Sequence, residues 1–164
     1  MATCTLTDVP SAIHGRGAQD RFVCVLRKSH PLAATGLDLV QYVRYPHALI
    51  TMGGERKGTI DHFLERHGLS RRIALRVPHF VAALALVAGT DLLLTVPYGL
   101  VKSCASHYGL VILPFPMAQK ASTYSVIWHE RYLREPRHQW LRQLIVGVNQ
   151  GGGDVGTGMP GVDR

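Results

Sequence analysis

Along the chain, apolar and polar positions alternate between a strand-like pattern and a helix-like pattern. Short apolar or alternating runs predict strands over residues 22–26, 48–50, 72–77, 92–96, 110–113 and 122–128. Longer amphipathic or apolar stretches predict helices over residues 37–45, 59–67, 80–88 and 98–108, and Pro136 begins a last helix. Strands that alternate with helices predict an α/β domain with a largely parallel sheet.

Both ends of the chain lack such a period. Residues 1–19 carry Gly15 and Gly17 in no clear pattern, so we expect a loop or a frayed lead-in. Residues 149–164 are rich in glycine and hold too little apolar surface to offset the entropy of ordering, so we expect a disordered tail. The apolar stretch 80–101 has the length of a membrane span, but Asp91 and Pro97 divide it and favour a helix, a turn and a buried strand.

Composition narrows the class of protein without naming its function. The 164 residues suit one globular domain, and the net charge of +7 favours an anionic partner, whether nucleic acid, a small carboxylate or a membrane surface. The widely spaced Cys4, Cys24 and Cys104 support neither a disulfide framework nor a zinc site, and the histidines lack metal-ligand spacing. We therefore expect no metal or other cofactor. Because the N-terminus does not resemble a secretory signal, we expect a cytoplasmic protein.

Two places combine polar chemistry with the end of a predicted strand. Residues 51–59 join a strand to a helix through Thr51, Met52 and Gly53, a junction that aims backbone N–H groups at an anion. The junction lacks the lysine of a P-loop, which leaves either binding of a small anion or a glycine turn that only connects two elements. His79 follows another strand at the sheet edge where ligands gather, and a hydrogen-bonded structural histidine is the alternative there.

Neither catalysis nor DNA binding has a comparable pattern. Ser103, Cys104 and Ser106 lie near His107, but there is no nucleophile elbow and no acid placed to orient a base. The arginines occur in small scattered groups without a helix-turn-helix pattern, which favours a solvated basic surface over direct recognition of DNA. An enzyme that uses His79 or Cys104 is the least favoured hypothesis, because no base has an orienting partner.

Seven segments in a fixed order carry more information than any one of them. They are DRFVCV at residues 20–25, SHPLA at 29–33, PH at 46–47, VPHF at 77–80, TDLLLTVP at 90–97, WHER at 128–131 and WLR at 140–142. Over residues 20–148 the series resembles the effector-binding domain of LysR-type transcriptional regulators. The similarity is strongest to the branch of the nodulation regulators and of regulators that respond to salicylate and related aromatic compounds.

The resemblance implies a fold like that of type 2 periplasmic binding proteins, with an effector between two lobes. One lobe, at about residues 47–113, would be complete, and the other would be incomplete, with residues 20–46 and 114–148. The Phe22 strand would then lie in the incomplete lobe. Members of the family form dimers or tetramers and bind DNA through an N-terminal winged helix-turn-helix, which has no counterpart here. We therefore expect a truncated regulator that does not bind specific DNA by itself.

The resemblance and the strand ends together predict the effector site. Thr51, Met52, Gly53, His79 and Phe80 would supply hydrogen bonds, a switchable charge and an apolar wall, and Ile127 and Trp128 would contribute from the other lobe. An aromatic carboxylate suits such a pocket. Two other hypotheses remain open: a truncated interaction protein that pairs with full-length regulators, and a non-functional gene fragment. As partners we expect a second copy of the chain or a full-length relative.

Overall fold

The computed structural model describes residues 13–51, 53–119 and 121–150, and the chain divides into two compact units. The larger unit is Arg21–Ala121, and the smaller one combines the described residues on either side of it. The strands are β1 (Ile13–Asp20), β2 (Phe22–Arg27), β3 (Pro46–Ile50), β4 (Arg72–Val77), β5 (Leu93–Pro97), β6 (Leu110–Pro114) and β7 (Ser122–His129). The helices are α1 (Leu32–Thr35), α2 (Leu39–Arg44), α3 (Thr59–Glu65), α4 (Phe80–Ala88), α5 (Tyr98–Val101) and α6 (Pro136–Gln150), with 3₁₀ turns at Ala105–Tyr108 and Glu130–Tyr132.

The larger unit is built on a five-stranded sheet of order β4-β3-β5-β2-β6. Strand β3 pairs in parallel with both β4 and β5, whereas β2 pairs antiparallel with both β5 and β6. Four strands therefore share one direction and β2 opposes them. The α/β fold class is confirmed, and within this five-stranded sheet the predicted parallel arrangement holds for every strand except β2. The predicted strand at residues 122–128 lies outside it, in an antiparallel pair with β1.

The position of β2 corrects the predicted boundary between the lobes. We expected this strand in the incomplete lobe, but it lies inside the five-stranded sheet between β5 and β6. The physical reason is its unbroken apolar run: Val23, Cys24, Val25 and Leu26 are all buried, so both faces of the strand need cover. The larger unit consequently spans residues 21–121 rather than 47–113.

The two faces of this sheet carry separate cores. Val23 and Val25 of β2 belong to a cluster with Ala83, Leu84 and Val87 of α4. The alternate β2 residues Cys24 and Leu26 belong to a second cluster, which includes the helix residues Tyr42, Ile60 and Leu64. Because side chains alternate across a strand, one apolar run supplies both clusters. The sheet is covered on both faces, and its strand ends are left as the place for polar chemistry.

The carboxyl ends of β3, β4 and β5 lie along one edge of the sheet, which we call the carboxyl edge. It comprises Thr51 after β3, His79 after β4, Tyr98 after β5 and Arg21 before the opposing strand β2. Two backbone hydrogen bonds hold neighbouring ends together: Thr51 N–H donates to the Val77 carbonyl at 3.0 Å, and Tyr98 N–H donates to the Arg21 carbonyl at 2.8 Å.

The smaller unit contains an antiparallel ribbon and a helix. Strand β1 pairs with β7 from Ile13 opposite His129 to Asp20 opposite Ser122. The predicted lead-in loop is therefore wrong for residues 13–19, because these residues pair with a strand more than 100 positions away, and no local sequence pattern indicates that pairing. Helix α6 continues to Gln150, beyond the predicted end, and residues 151–164 of the predicted tail lie outside the described residues. Within the described ranges, no helix is both long and apolar enough to cross a bilayer.

Candidate functional site

The structure places four of the predicted site residues on the carboxyl edge. Thr51 is half-buried directly after β3, and Gly53 is exposed in the following loop. His79 is the exposed residue before α4, and Phe80 is its half-buried first residue, packed against the α4 core cluster. Their approach follows from the parallel pairing of β3 with β4, which brings the two strand ends to the same edge.

The structure gives no position at this edge for the other three predicted residues. Met52 lies outside the described residues. Ile127 and Trp128 belong to β7 in the smaller unit, where Ile127 is 39% exposed and the guanidinium of Arg142 lies 4.7 Å from the Trp128 ring centroid. Their contribution to an effector site stays a prediction.

The loop after β3 holds a carboxylate with the groups that we expected to bind an anion. The Thr51 hydroxyl donates to Glu55 Oε2 at 2.6 Å, and the Gly53 N–H donates to the same oxygen at 3.0 Å. Gly54 has a φ of 77°, a left-handed conformation that turns the chain back so that Glu55 reaches both donors. Hydrogen bonding from Thr51, with smaller contributions from backbone N–H groups, lowers the pKa of Glu55. The donors therefore face an ionised carboxylate at neutral pH.

Glu55 is a residue that the sequence reasoning missed. A signal was present, since Glu55 is the one acidic residue between the end of β3 and the start of α3. An acid placed directly after a pair of glycines can accept a hydrogen bond from an N–H group of the turn that they form. Only the structure shows that it does so.

His79 starts α4 without capping it. The backbone of His79 is extended, with φ −121° and ψ 131°, and its side chain makes no capping hydrogen bond. Its carbonyl instead accepts from Ala83 N–H at 3.1 Å, so the helix begins without help from the imidazole. The exposed ring is thus available to a ligand at the carboxyl edge, which weakens the alternative of a structural histidine.

A cation and an aromatic ring extend the same edge past β5. The guanidinium carbon of Arg21 lies 4.9 Å from the centroid of the Tyr98 ring. Arg21 is exposed and Tyr98 is half-buried. The sequence predicts Tyr98 as the first residue of a helix, but Tyr98 also follows the end of β5, and Arg21 precedes β2 at the same edge. Together they offer a positive charge and an apolar face to an aromatic anion.

A buried polar cluster surrounds Tyr42 of the second core. Arg71, whose side chain is 2% exposed, donates to Asp61 from Nε at 2.7 Å and from Nη2 at 3.2 Å, and to the Tyr42 hydroxyl from Nη1 at 2.8 Å. Gly58 N–H also donates to Asp61, at 2.7 Å. Burial opposes ionisation of Asp61, but hydrogen bonds and charge from Arg71 outweigh it and lower the pKa of the carboxyl group. Burial, and secondarily Arg71, lower the pKa of His47 to about 3, so its ring is neutral. These contacts join α3, the residue before β4, and Tyr42 in the second core.

A pocket beside β4 is separate from the carboxyl edge. It has a volume of about 180 Å³ and is lined mainly by charged side chains, among them Arg56, Lys57 and Arg76. Glu65 pairs with Lys57, and Arg76 donates to the Arg56 carbonyl at 3.1 Å. The pocket includes none of the predicted effector-site residues. In the part of the chain that the structure describes, no three His, Cys, Asp or Glu residues are grouped to hold a metal ion.

Comparison with known protein families shows the family of this chain. The family model "LysR substrate binding domain" matches residues 8–150. The chain belongs to the LysR substrate-binding domain family. The match begins ahead of the start that we predicted at residue 20, so most of β1 and the residues before it belong to the family domain, and residues 8–19 are not an unmatched lead-in.

The relatives that match this chain include regulators of transcription. The chain is 36% identical over 127 residues to the transcriptional activator NahR of Pseudomonas putida, covering 77% of this chain and 42% of that protein. It is 34% identical over 127 residues to the transcriptional regulator SyrM of Rhizobium meliloti, covering 77% and 39%. Identity to nodulation protein D 3 of Mesorhizobium japonicum is 30% over 139 residues, covering 83% and 46%. The resemblance to the family and to its branch is confirmed, and the chain spans less than half the length of these relatives.

Solved structures support the same fold. The regulatory domain of MexT, a transcriptional activator in Pseudomonas aeruginosa, matches with a TM-score of 0.72 and 29% identity, over 84% of this chain and 66% of that one. A transcriptional regulator from Vibrio parahaemolyticus matches with a TM-score of 0.76 and 31% identity, over 88% and 68%. This LysR effector-binding domain therefore has a fold like that of periplasmic binding proteins.

Proposed function

We propose that this LysR effector-binding domain senses an aromatic carboxylate at its carboxyl edge. The observation that carries the proposal is the carboxylate already bound there: Thr51 and Gly53 converge on one oxygen of Glu55 at 2.6 and 3.0 Å. A pair of donors that holds one carboxylate has the spacing to hold another.

The remainder of the carboxyl edge supplies a cation for a negatively charged group and apolar side chains for an aromatic ring. Arg21 provides an exposed cation 4.9 Å from the Tyr98 ring centroid. Phe80 is half-buried beside His79, so a flat ligand would find an apolar wall next to a hydrogen-bonding imidazole. Binding sites for small molecules typically combine apolar walls with a few such polar groups.

The domain would act as one part of a transcription regulator in the cytoplasm. Its activity, like that of regulators generally, would depend on assembly with other chains. We propose that this chain pairs with a second copy or with a full-length relative, and that it makes no specific contact with DNA by itself. On this hypothesis the described domain senses the effector, and recognition of DNA lies with other parts of the assembly.

A pairing function has support of its own in the smaller unit. Trp140, Leu144 and Val148 of α6 lie one turn apart and are 64%, 48% and 72% exposed. A continuous exposed apolar face on a helix is typical of a protein contact. This face supports the second candidate function, in which the chain pairs with itself or with full-length regulators whether or not it binds an effector.

Thermal unfolding with and without ligand tests the sensing function. Salicylate and benzoate should raise the melting temperature by roughly 5 to 10 °C at a hundredfold their Kd, since that occupancy adds about 2.7 kcal/mol. The variants Thr51→Val and His79→Ala should lose at least half of the shift. His107→Ala is the matched control, because this exposed histidine precedes the amino end of β6 at the opposite edge of the sheet. An equal shift in all four proteins, or no shift with any aromatic carboxylate, would contradict the proposal.

A further inference from the structure

The geometry points to Glu55 as the residue that sets the effector preference of the carboxyl edge. Its carboxylate occupies the donors Thr51 and Gly53 in the free protein, and an anionic effector must displace it to use them. This inference rests on the proposed function, because it assumes that the effector binds where Thr51 and Gly53 lie. It adds a residue that neither the sequence motifs nor the family comparison assigns.

The loop is shaped to admit this carboxylate. Both hydrogen bonds, at 2.6 and 3.0 Å, end on the same oxygen, Glu55 Oε2. A Cβ atom at Gly53 would collide with the Glu55 carboxylate, so a glycine at this position lets the carboxylate approach the backbone closely. The contact therefore depends on three residues that a short turn brings together.

The carboxylate is held in a way that permits exchange. Glu55 is exposed, and its two partners are a neutral hydroxyl and a neutral backbone N–H. Within the described residues, no Lys or Arg forms an ion pair with it: Lys57, two positions on, pairs with Glu65. Rotation of the Glu55 side chain would free both donors without breaking any buried contact. Exposed polar contacts of this type are weak compared with buried ones.

Because a ligand must displace the Glu55 carboxylate, the charge of the ligand affects its affinity. An anionic effector must replace the two hydrogen bonds of Glu55 and also approach a like charge, and both effects weaken its apparent affinity. A neutral aromatic amide of the same shape meets no such repulsion and can donate to the Glu55 carboxylate. Removing the charge of Glu55 should therefore favour carboxylates selectively.

Titration of two matched ligand pairs tests this inference. Salicylate and benzoate are compared with salicylamide and benzamide, by calorimetry or two-dimensional NMR, on the whole chain and on Glu55→Gln. The control is Glu65→Gln, which removes the same charge from another exposed side chain in the adjacent helix. We expect Glu55→Gln to bind both carboxylates roughly threefold to tenfold more tightly and both amides no more tightly, since charged hydrogen bonds are about twice as strong as neutral ones.

Each outcome separates this inference from the proposed function. Unchanged or weaker carboxylate binding by Glu55→Gln, with normal binding by the parent chain, overturns the role of Glu55 and leaves the sensing function in place. Equal tightening in Glu55→Gln and Glu65→Gln also overturns it, because the effect would then come from net charge. Absence of carboxylate binding in all variants overturns the sensing function itself. Glu55→Ala, which removes the competing side chain, should tighten carboxylate binding in the same direction as Glu55→Gln.

Discussion

Two carboxylates six residues apart, Glu55 and Asp61, share one kind of partner but differ in the other partner and in burial. Each accepts a hydrogen bond from a glycine N–H: Gly53 at 3.0 Å for Glu55 and Gly58 at 2.7 Å for Asp61. The second partner of Glu55 is a hydroxyl group, and Glu55 is exposed. The second partner of Asp61 is the guanidinium of Arg71, and both side chains are buried.

The difference shows that burial decides whether a hydrogen-bonded carboxylate is a lasting structural contact or an exchangeable one. A buried ion pair cannot be broken without leaving a charge in an apolar surrounding, so the contact between Asp61 and Arg71 is permanent while the domain is folded. An exposed carboxylate on neutral donors is readily replaced by water or by another anion. Asp61 therefore holds α3 to the core, whereas Glu55 leaves the carboxyl edge able to exchange its occupant.

The largest expected effect is on the buried side of this comparison. Asp61→Ala should lower the free energy of unfolding by about 3 to 5 kcal/mol, because it leaves Arg71 buried without its counter-charge. Urea denaturation followed by circular dichroism measures the loss. Glu65→Ala, on the same helix but exposed, is the matched control and should move the urea midpoint little.

A double variant checks the cause of that loss. Asp61→Ala combined with Arg71→Met removes both charges and should recover a large part of the stability, as replacement of buried ion pairs by apolar residues often does. If the double variant were as unstable as the sum of the two single variants, the loss would come from packing and the ion-pair explanation would be wrong.

A smaller effect concerns the pH dependence of stability. Burial lowers the pKa of His47 from 6.5 to about 3, so between these values the unfolded chain binds a proton that the folded chain does not. The stabilising contribution is complete above pH 6.5 and declines as pH falls, by on the order of 1 kcal/mol per pH unit. The carboxyl group of Asp61, whose pKa is lowered from 3.8, adds a loss only at still lower pH.

Urea midpoints between pH 7 and pH 4.5 measure this dependence. His47→Gln should flatten the decline, and the exposed His107→Gln should leave it as steep as in the parent chain. A decline of equal slope in His47→Gln would show that other groups cause it. The comparison uses slopes, because His47→Gln also removes the hydrogen bond between His47 Nε2 and the Tyr42 carbonyl.

The smallest expected effect is on the exposed side of the comparison. Glu55→Gln should leave the urea midpoint unchanged within error, because an exposed carboxylate on neutral donors contributes little to folding. The same variant changes ligand preference if Glu55 is the competitor that we infer. A fall in stability comparable to that of Asp61→Ala would mean that the contact of Glu55 is structural, and the contrast between the two carboxylates would be lost.

Part of the candidate site was predictable because it depends on local features. A strand end followed by glycines, and a histidine between a strand and a helix, can be recognised from neighbours in the sequence, and Thr51, Gly53 and His79 do lie at one sheet edge. Arg21 and Glu55 were not predicted, because their roles depend on the turn after β3 and on the pairing of β2 with β5. Arg21 reaches this edge only because β2 runs opposite to β5.

By itself the sequence determined the family, the α/β class and the position of nearly every element of the larger unit, because apolar periodicity and motif order are properties of adjacent residues. Only the tertiary structure decided that β2 lies inside the five-stranded sheet and that residues 13–20 pair with β7. It also decided that Asp61 forms a buried ion pair with Arg71, whereas the exposed Glu55 accepts a hydrogen bond from Thr51. The physical reason is that strand pairing and burial depend on partners distant in the chain, and such partners leave no local pattern.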